Sequence, residues 1–97
     1  MAKYRKKPVV IEAFQLTEES LNTQFPDWLD RAWEKSDNEV GALYPWDYND
    51  FSNNELAIAT LEGVQKVSIN DYIIQGVVGE IYPCREDIFL MTYEEVK

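Results

Sequence analysis

The hydrophobic pattern at the start of the chain predicts a β-strand over residues 8–16, PVVIEAFQL. Its β-branched run, Val-Val-Ile, favours an extended backbone. Apolar side chains fall on both faces of this strand, so we expect it to be central in its sheet and covered on both sides. Glu12 would then lie on an apolar face, where its carboxylate needs a salt bridge to Arg5, Lys7 or Arg85, or a ligand.

Two helix signals occupy residues 17–36. Thr17 is suited to be the N-cap of a first helix, because two acids and a serine follow it. A clearer helix begins near Pro26, since proline is tolerated in the first turn. Apolar residues recur in it at helical spacing, and we expect this stripe to cover one face of the sheet: Trp28, Leu29, Ala32 and Trp33.

The second half of the chain predicts antiparallel strands joined by glycine-containing turns. The predicted elements are two short strands around Glu62-Gly63, a turn at Asn70-Asp71, a hairpin over residues 72–83 with Gly76 and Gly79 near its tip, and a final strand over residues 88–93. Together the elements predict a single domain, residues 1–97, of the α+β class. We expect a small antiparallel, partly barrel-like sheet of about five to six strands, with one or two helices (residues 17–36) packed on it.

Residues 37–54, DNEVGALYPWDYNDFSNN, follow neither a helical nor a strand period. A loop of this length in a small domain is usually functional or mobile. Aromatic side chains in a polar, acidic loop offer a large contact area at low entropic cost, which is typical of recognition surfaces. The candidate partner-binding residues are therefore Tyr44, Trp46, Tyr48 and Phe51. The alternative is that these aromatic residues fold back on the core or form a short hairpin.

Composition narrows the chemistry that the chain can perform. The 97 residues contain no histidine and one cysteine, Cys84, which excludes histidine-dependent nucleophiles, internal disulfides and multi-cysteine zinc sites. We therefore expect no enzymatic activity, no metal and no cofactor. Acids at positions 86 and 87 oppose the effect of Arg85 on the thiol, so an inert cysteine in a reducing cytoplasm is expected. No apolar run is long enough to span a bilayer, so no membrane partner is expected.

Charge is distributed unevenly along the chain, whose formal net charge is −9. Residues 1–16 carry a net charge of +3, residues 17–55 carry −8 and residues 56–97 carry −4. Such a negative surface repels nucleic-acid phosphates, so direct nucleic-acid binding is not expected. The acidic surface fits ordinary solubility, pairing with the protein's own basic N-terminal cluster, or mimicry of DNA towards a DNA-binding protein.

Two stretches of the chain together carry a recognisable pattern. The first is YRKKPVVIEA at residues 4–13, and the second is the ordered series TLEG, DYII, Gly76, Gly79-Glu80, YPC, IF and TYE between residues 60 and 94. In this order they resemble a family of small bacteriophage and prophage proteins of unassigned function. Asn70 stands where that family usually has glycine, and asparagine also tolerates a positive φ. The resemblance implies a phage or prophage origin and a location in the host bacterial cytoplasm, and it carries no catalytic residues.

The sequence therefore predicts a non-enzymatic accessory protein that binds a host or phage protein through its acidic, aromatic middle segment. A homo-oligomer is compatible with it. The alternative is a small-ligand or nucleotide-binding module with a polar site formed by Arg5, Glu12, Asp71, Tyr72, Glu80 and Tyr82. A hydrolase with paired carboxylates such as Glu12 and Glu80 is a weaker alternative, because nothing in the spacing brings the two together.

Overall fold

Two three-stranded antiparallel sheets and two helices form the part of the chain that the computed structural model describes, residues 2–5, 7–50 and 54–96. In chain order the elements are β1 (Glu12–Gln15), a 3-10 helix (Ser20–Asn22), α1 (Asp27–Glu34), β2 (Leu43–Pro45), β3 (Leu56–Thr60), β4 (Gly63–Val67), β5 (Tyr72–Gln75), β6 (Ile81–Cys84) and α2 (Glu86–Thr92). The sheet orders are β1-β5-β6 and β2-β3-β4. The α+β class is confirmed, but both sheets are open and do not close into a barrel.

Both sheets and α1 contribute to one hydrophobic core. Strand alternation turns one face of β3 inward, and Leu56 and Ile58 on that face are fully buried. The predicted helical stripe is confirmed in part, because Trp28, Leu29 and Ala32 are buried. Trp33 instead stays 42% exposed and contacts the ring of Phe25 edge-on at 6.4 Å. The core residues of this cluster are Leu16, Trp28, Leu29, Ala32, Leu43, Leu56, Ile58, Val67, Ile73 and Ile81.

Local turn chemistry follows the sequence signals closely. The Thr17 side chain accepts a hydrogen bond from the Ser20 backbone N–H at 2.9 Å, which caps the turn that leads into the 3-10 helix. The predicted turn at Asn70-Asp71 is present, and Asn70 has a φ of 78°. A carboxylate oxygen of Asp71 accepts a hydrogen bond from the Ser68 N–H at 3.0 Å and closes that turn. The predicted β3–β4 and β5–β6 hairpins are both formed.

The strand predicted over residues 8–16 is present only at Glu12–Gln15, and the expectation that it is central and covered on both sides is wrong. β1 covers four residues and lies at the edge of its sheet, because β5 takes the central place between β1 and β6. Val10, which the sequence places in a covered strand, is 77% exposed. Glu12 is exposed as well, so its carboxylate is hydrated and needs no buried partner. Within the described residues it forms no ion pair with Arg5, Lys7 or Arg85.

The prediction of a final strand over residues 88–93 is also wrong, because this segment forms α2. The acids Glu86 and Asp87 stand in its first turn, where they favour the positive end of a helix. Phe89 and Tyr93 are one helical turn apart, and their rings stack with centroids 5.0 Å apart. Phe89 also stacks on Tyr72 of β5, with ring centroids 3.8 Å apart. Phe89 of α2 and Tyr93, the residue directly after α2, thus bring two aromatic rings to the outer face of the β1-β5-β6 sheet.

Candidate functional site

The outer face of the β2-β3-β4 sheet carries three of the four aromatic residues singled out in the middle segment. Tyr44 pairs with Ala57, and Ala57 pairs with Lys66, so these side chains share one face. That face points away from the core, because the alternate positions Leu43 and Leu56 point into it. We call the surface formed by Tyr44, Trp46, Tyr48 and Lys66 the aromatic face. Phe51 lies outside the described residues.

Two contacts fix the tyrosines of the aromatic face. The rings of Tyr44 and Tyr48 are stacked, with centroids 6.4 Å apart and planes 6° apart. The Tyr48 hydroxyl donates a hydrogen bond of 2.6 Å to a carboxylate oxygen of Asp37, at the start of the same segment. Strand β2 also lies within this segment and pairs with β3. The antiparallel pairing of β2 with β3 supports the alternative of a short hairpin, and aromatic stacking adds a second contact within the described part of the segment.

Lys66 fixes the tryptophan of the aromatic face. Its ammonium nitrogen lies 5.4 Å from the centroid of the Trp46 ring, within the range of a cation–π contact. The same nitrogen is 3.3 Å from a carboxylate oxygen of Glu55. The Trp46 backbone N–H also donates a hydrogen bond to the Glu55 carbonyl oxygen at 3.0 Å. Trp46 is therefore held by its backbone at the end of β2 and by its ring over β4.

The aromatic face combines exposed rings with negative charge. Trp46 is 45% exposed and Tyr48 is 64% exposed, although each ring has a defined contact. Three carboxylates adjoin them, since Asp37 bonds Tyr48, Glu55 pairs with Lys66, and Asp47 separates the two rings in the chain. Lys66 is already paired with Glu55, so it does not offset the remaining acids. The face can therefore offer ring surfaces and carboxylates to a cationic group.

Sequence reasoning did not select Lys66, Glu55 or Asp37 as members of this site. The alternation of polar and apolar residues in β4 does place Lys66 on the outer face. Its approach to Trp46 depends on the order β2-β3-β4, which the sequence pattern did not supply. Asp37 is 11 residues from Tyr48, and no local period links the two.

We expect Tyr48 to titrate at unusually high pH. The hydrogen bond that the Tyr48 hydroxyl donates to Asp37 is the main reason that the pKa of Tyr48 is raised from 10.0 to about 12. Lost hydration and the negative charge of the Asp37 carboxylate raise the pKa further in the same direction. Because the pKa is higher in the fold than in the unfolded chain, the bond stabilises the fold fully below pH 10 and its contribution is lost as the pH rises towards 12. An NMR pH titration that follows the ring-carbon chemical shifts of each tyrosine measures the pKa of the Tyr48 hydroxyl separately from those of the other tyrosines.

Asp37→Ala should bring the pKa of Tyr48 back towards 10.0. Asp47→Ala is the matched control, since the Asp47 carboxylate bonds the Asn49 backbone N–H and not a tyrosine hydroxyl. A wild-type Tyr48 that titrates near 10.0 would contradict the hydrogen bond on which the order of this segment depends.

The six polar candidate residues lie in different surroundings. Arg5 and Glu12 are exposed, Asp71 closes a turn, and Tyr72 stacks on Phe89 of α2. Glu80 and Tyr82 do line one cleft of about 480 Å³, between the β3–β4 hairpin, the β5–β6 hairpin and the chain that follows α1. Lys35 brings a positive charge to the wall of that cleft. The structure thus brings together two of the six residues and adds a cation that the sequence did not single out.

Tyr82 and Cys84 of β6 both have environments that disfavour ionisation. Burial, with a hydrogen bond to Tyr93, raises the pKa of Tyr82 to about 12. Burial and the charges of Asp71 and Asp87 also raise the pKa of the Cys84 thiol. A thiol with a raised pKa is mostly protonated at neutral pH and is a poor nucleophile, in line with the expectation of an inert cysteine.

In residues 2–5, 7–50 and 54–96, no three acidic or thiol side chains gather in a way that could hold a metal ion. Neither helix of this same part of the chain has the length and apolar character needed to cross a bilayer. No protein-family model, curated protein or solved structure matches the chain. The geometry of the aromatic face therefore carries the functional argument.

Proposed function

We propose that this protein is a non-enzymatic binding protein that docks a host or phage protein on its aromatic face. The observation that carries the proposal is that Trp46 and Tyr48 stay exposed while their rings are held in place. A large aromatic ring that is fixed before binding loses little conformational entropy when a partner covers it. Tryptophan and tyrosine are also the residues that most often dominate binding energy at protein interfaces. The phage or prophage origin and the cytoplasmic location belong to this proposal through the sequence resemblance alone.

The chemistry of the aromatic face favours a partner with a basic docking surface. The Trp46 ring already accepts the ammonium of Lys66, so its π-system is oriented for cations. The carboxylates around the rings attract lysine and arginine side chains and repel acidic surfaces. Arginine fits best, because its planar guanidinium stacks on a ring and bonds a carboxylate in the same contact. Binding should therefore weaken as salt concentration rises.

Capture from a bacterial lysate with three forms of the protein tests the proposal. The wild type and Trp33→Ala should retain the same partner, whereas Trp46→Ala should lose it. Trp33 is the matched control, because it is a tryptophan of nearly equal exposure, 42% against 45%, that lies on α1 outside the aromatic face. A partner retained equally by all three forms would overturn the proposed docking surface.

A small-ligand module remains a second candidate, at the cleft lined by Glu80, Tyr82 and Lys35. Its volume of about 480 Å³ is in the range of ligand pockets. A thermal-shift screen with nucleotides and sugar phosphates tests it, since a ligand at 100 times its dissociation constant adds about 2.7 kcal/mol of stability. A phosphate-bearing ligand should raise the Tm of the wild type and leave the Tm of the Lys35→Ala variant unchanged. No shift across the panel, or an equal shift in the variant, would exclude this cleft as the site.

A further inference from the structure

The protein exposes more surface than a compact monomer of its size. Its accessible area is 7357 Å² for a chain of 11.3 kDa, whereas monomers of this mass expose about 5,700 Å². Its radius of gyration is 14.3 Å and its longest extent is 50 Å, against a radius of about 12.5 Å for a compact domain of this length. The excess of roughly 1,600 Å² is about twice the area of about 800 Å² that each partner buries in a standard protein interface.

Several exposed apolar side chains line one groove of the described chain. The groove has a volume of about 540 Å³ and runs between two walls. One wall is the arm, which we define as residues 2–5 and 7–11, and the other is the α2 wall, defined as α2 with residues 94–96. Four exposed large apolar residues line the groove, namely Val9, Val10, Leu90 and Val96. Tyr4, Ile88 and Met91 are also exposed on the two walls, outside the groove lining.

The two walls of the groove carry opposite charge. In the described residues the arm holds Lys3, Arg5 and Lys7 and no acid. The α2 wall holds Glu86, Asp87, Glu94 and Glu95 and no base. Asp87 is paired with Arg85, which immediately precedes α2, and the other three acids have no ion-pair partner within the described residues. Glu94 and Glu95 line the groove itself, and the three bases stand on the arm just before Val9, the first residue of the arm that lines it.

We propose that a second copy of this chain covers the groove and that the protein is a two-fold symmetric dimer. A two-fold axis along the groove places the arm of each copy on the α2 wall of the other, and this contact occurs twice. It covers the exposed apolar residues and joins opposite charges at both contacts. The rest of a chain with a net charge of −9 repels a second copy, so this groove is the face on which two copies attract. The inference is independent of the proposed function, because the aromatic face lies on the other sheet.

A pair of charge reversals tests the dimer. Sedimentation equilibrium should give twice the chain mass for the wild type, whereas Arg5→Glu with Lys7→Glu, and Glu94→Lys with Glu95→Lys, should each raise the dissociation constant at least about tenfold. In a dimer of either variant alone, like charges meet at both contacts between an arm and an α2 wall. An equimolar mixture of the two variants should form a heterodimer, because every arm again meets an α2 wall of opposite charge.

Glu18→Lys with Glu19→Lys is the matched control. It also reverses two adjacent exposed glutamates, it lies outside the groove, and it should leave the dimer intact. Circular dichroism confirms that each variant is folded. A wild type that stays monomeric at millimolar concentration, two variants that both dimerise with the wild-type dissociation constant, or a mixture that forms no heterodimer would each overturn the inference.

Discussion

Replacing Leu56 by alanine is expected to lower the free energy of unfolding by about 3 kcal/mol. Leu56 is fully buried in β3, the central strand of its sheet, and it stands between Pro45 of β2 and Val67 of β4 in the register. Removing its side chain leaves a cavity that these fixed neighbours cannot close. Because a domain of this length has a total stability of about 5 kcal/mol, more than half of it would be lost.

Urea unfolding followed by tryptophan fluorescence measures this loss. Leu61→Ala is the matched control, because it makes the same substitution at a turn position that is 88% exposed. It should change the free energy of unfolding by no more than about 0.5 kcal/mol. Equal effects of the two substitutions would show that Leu56 does not belong to a packed core.

Replacing Trp46 by alanine is expected to weaken partner binding by about 2 kcal/mol or more, which is about a 30-fold rise in the dissociation constant. The loss follows from the removal of a half-exposed ring that Lys66 has already oriented. The fold should change little, because the Lys66–Glu55 ion pair and the β2–β3 pairing remain. Isothermal titration calorimetry with the purified partner measures the affinity.

Trp33→Ala provides the comparison for that titration, and its dissociation constant should stay within about threefold of the wild-type value. A second comparison raises the salt concentration, which should weaken the wild-type complex if the partner is basic. If Trp33→Ala weakened binding more than Trp46→Ala, the docking surface would lie on α1 and the aromatic face would have another role.

The elements that sequence patterns located correctly are those with strong local signals. Helix α1 has Pro26 at its start, acids in its first turn and a clear apolar stripe. The two hairpins have short connections with glycine at positions of positive φ, Gly63 and Gly79, and the turn between β4 and β5 has Asn70 at such a position. In these segments local propensity and tertiary packing favour the same structure, so one sequence is enough to identify them.

The elements that sequence patterns missed depend on distant neighbours. The segment over residues 88–93 is as rich in apolar residues as a strand, and α2 has only seven residues, too few to show a helical period. Phe89 of this helix stacks on Tyr72 of β5, a contact between distant parts of the chain that no local pattern indicates. Likewise, the apolar faces near Val10 predicted a covered strand, although nothing within the described part of the chain covers them.

The candidate site was predictable in composition and not in arrangement. The density of aromatic residues in the middle segment is enough to select Tyr44, Trp46 and Tyr48 as candidate binding residues. Their common face depends on the register of β2 against β3, which places Tyr44 opposite Ala57. Of the six polar candidates, the structure brings only Glu80 and Tyr82 into one cleft, and it gives Asp71 and Tyr72 other contacts.

The most direct test of docking on the aromatic face uses the three tryptophan indole N–H signals in an NMR titration with the purified partner. Trp46 is 45% exposed on that face, Trp33 is 42% exposed on α1, and Trp28 is buried in the core, so the protein contains its own controls. We expect the Trp46 signal to shift or broaden while those of Trp33 and Trp28 stay in place. An unchanged Trp46 signal at saturating partner would contradict the proposed function.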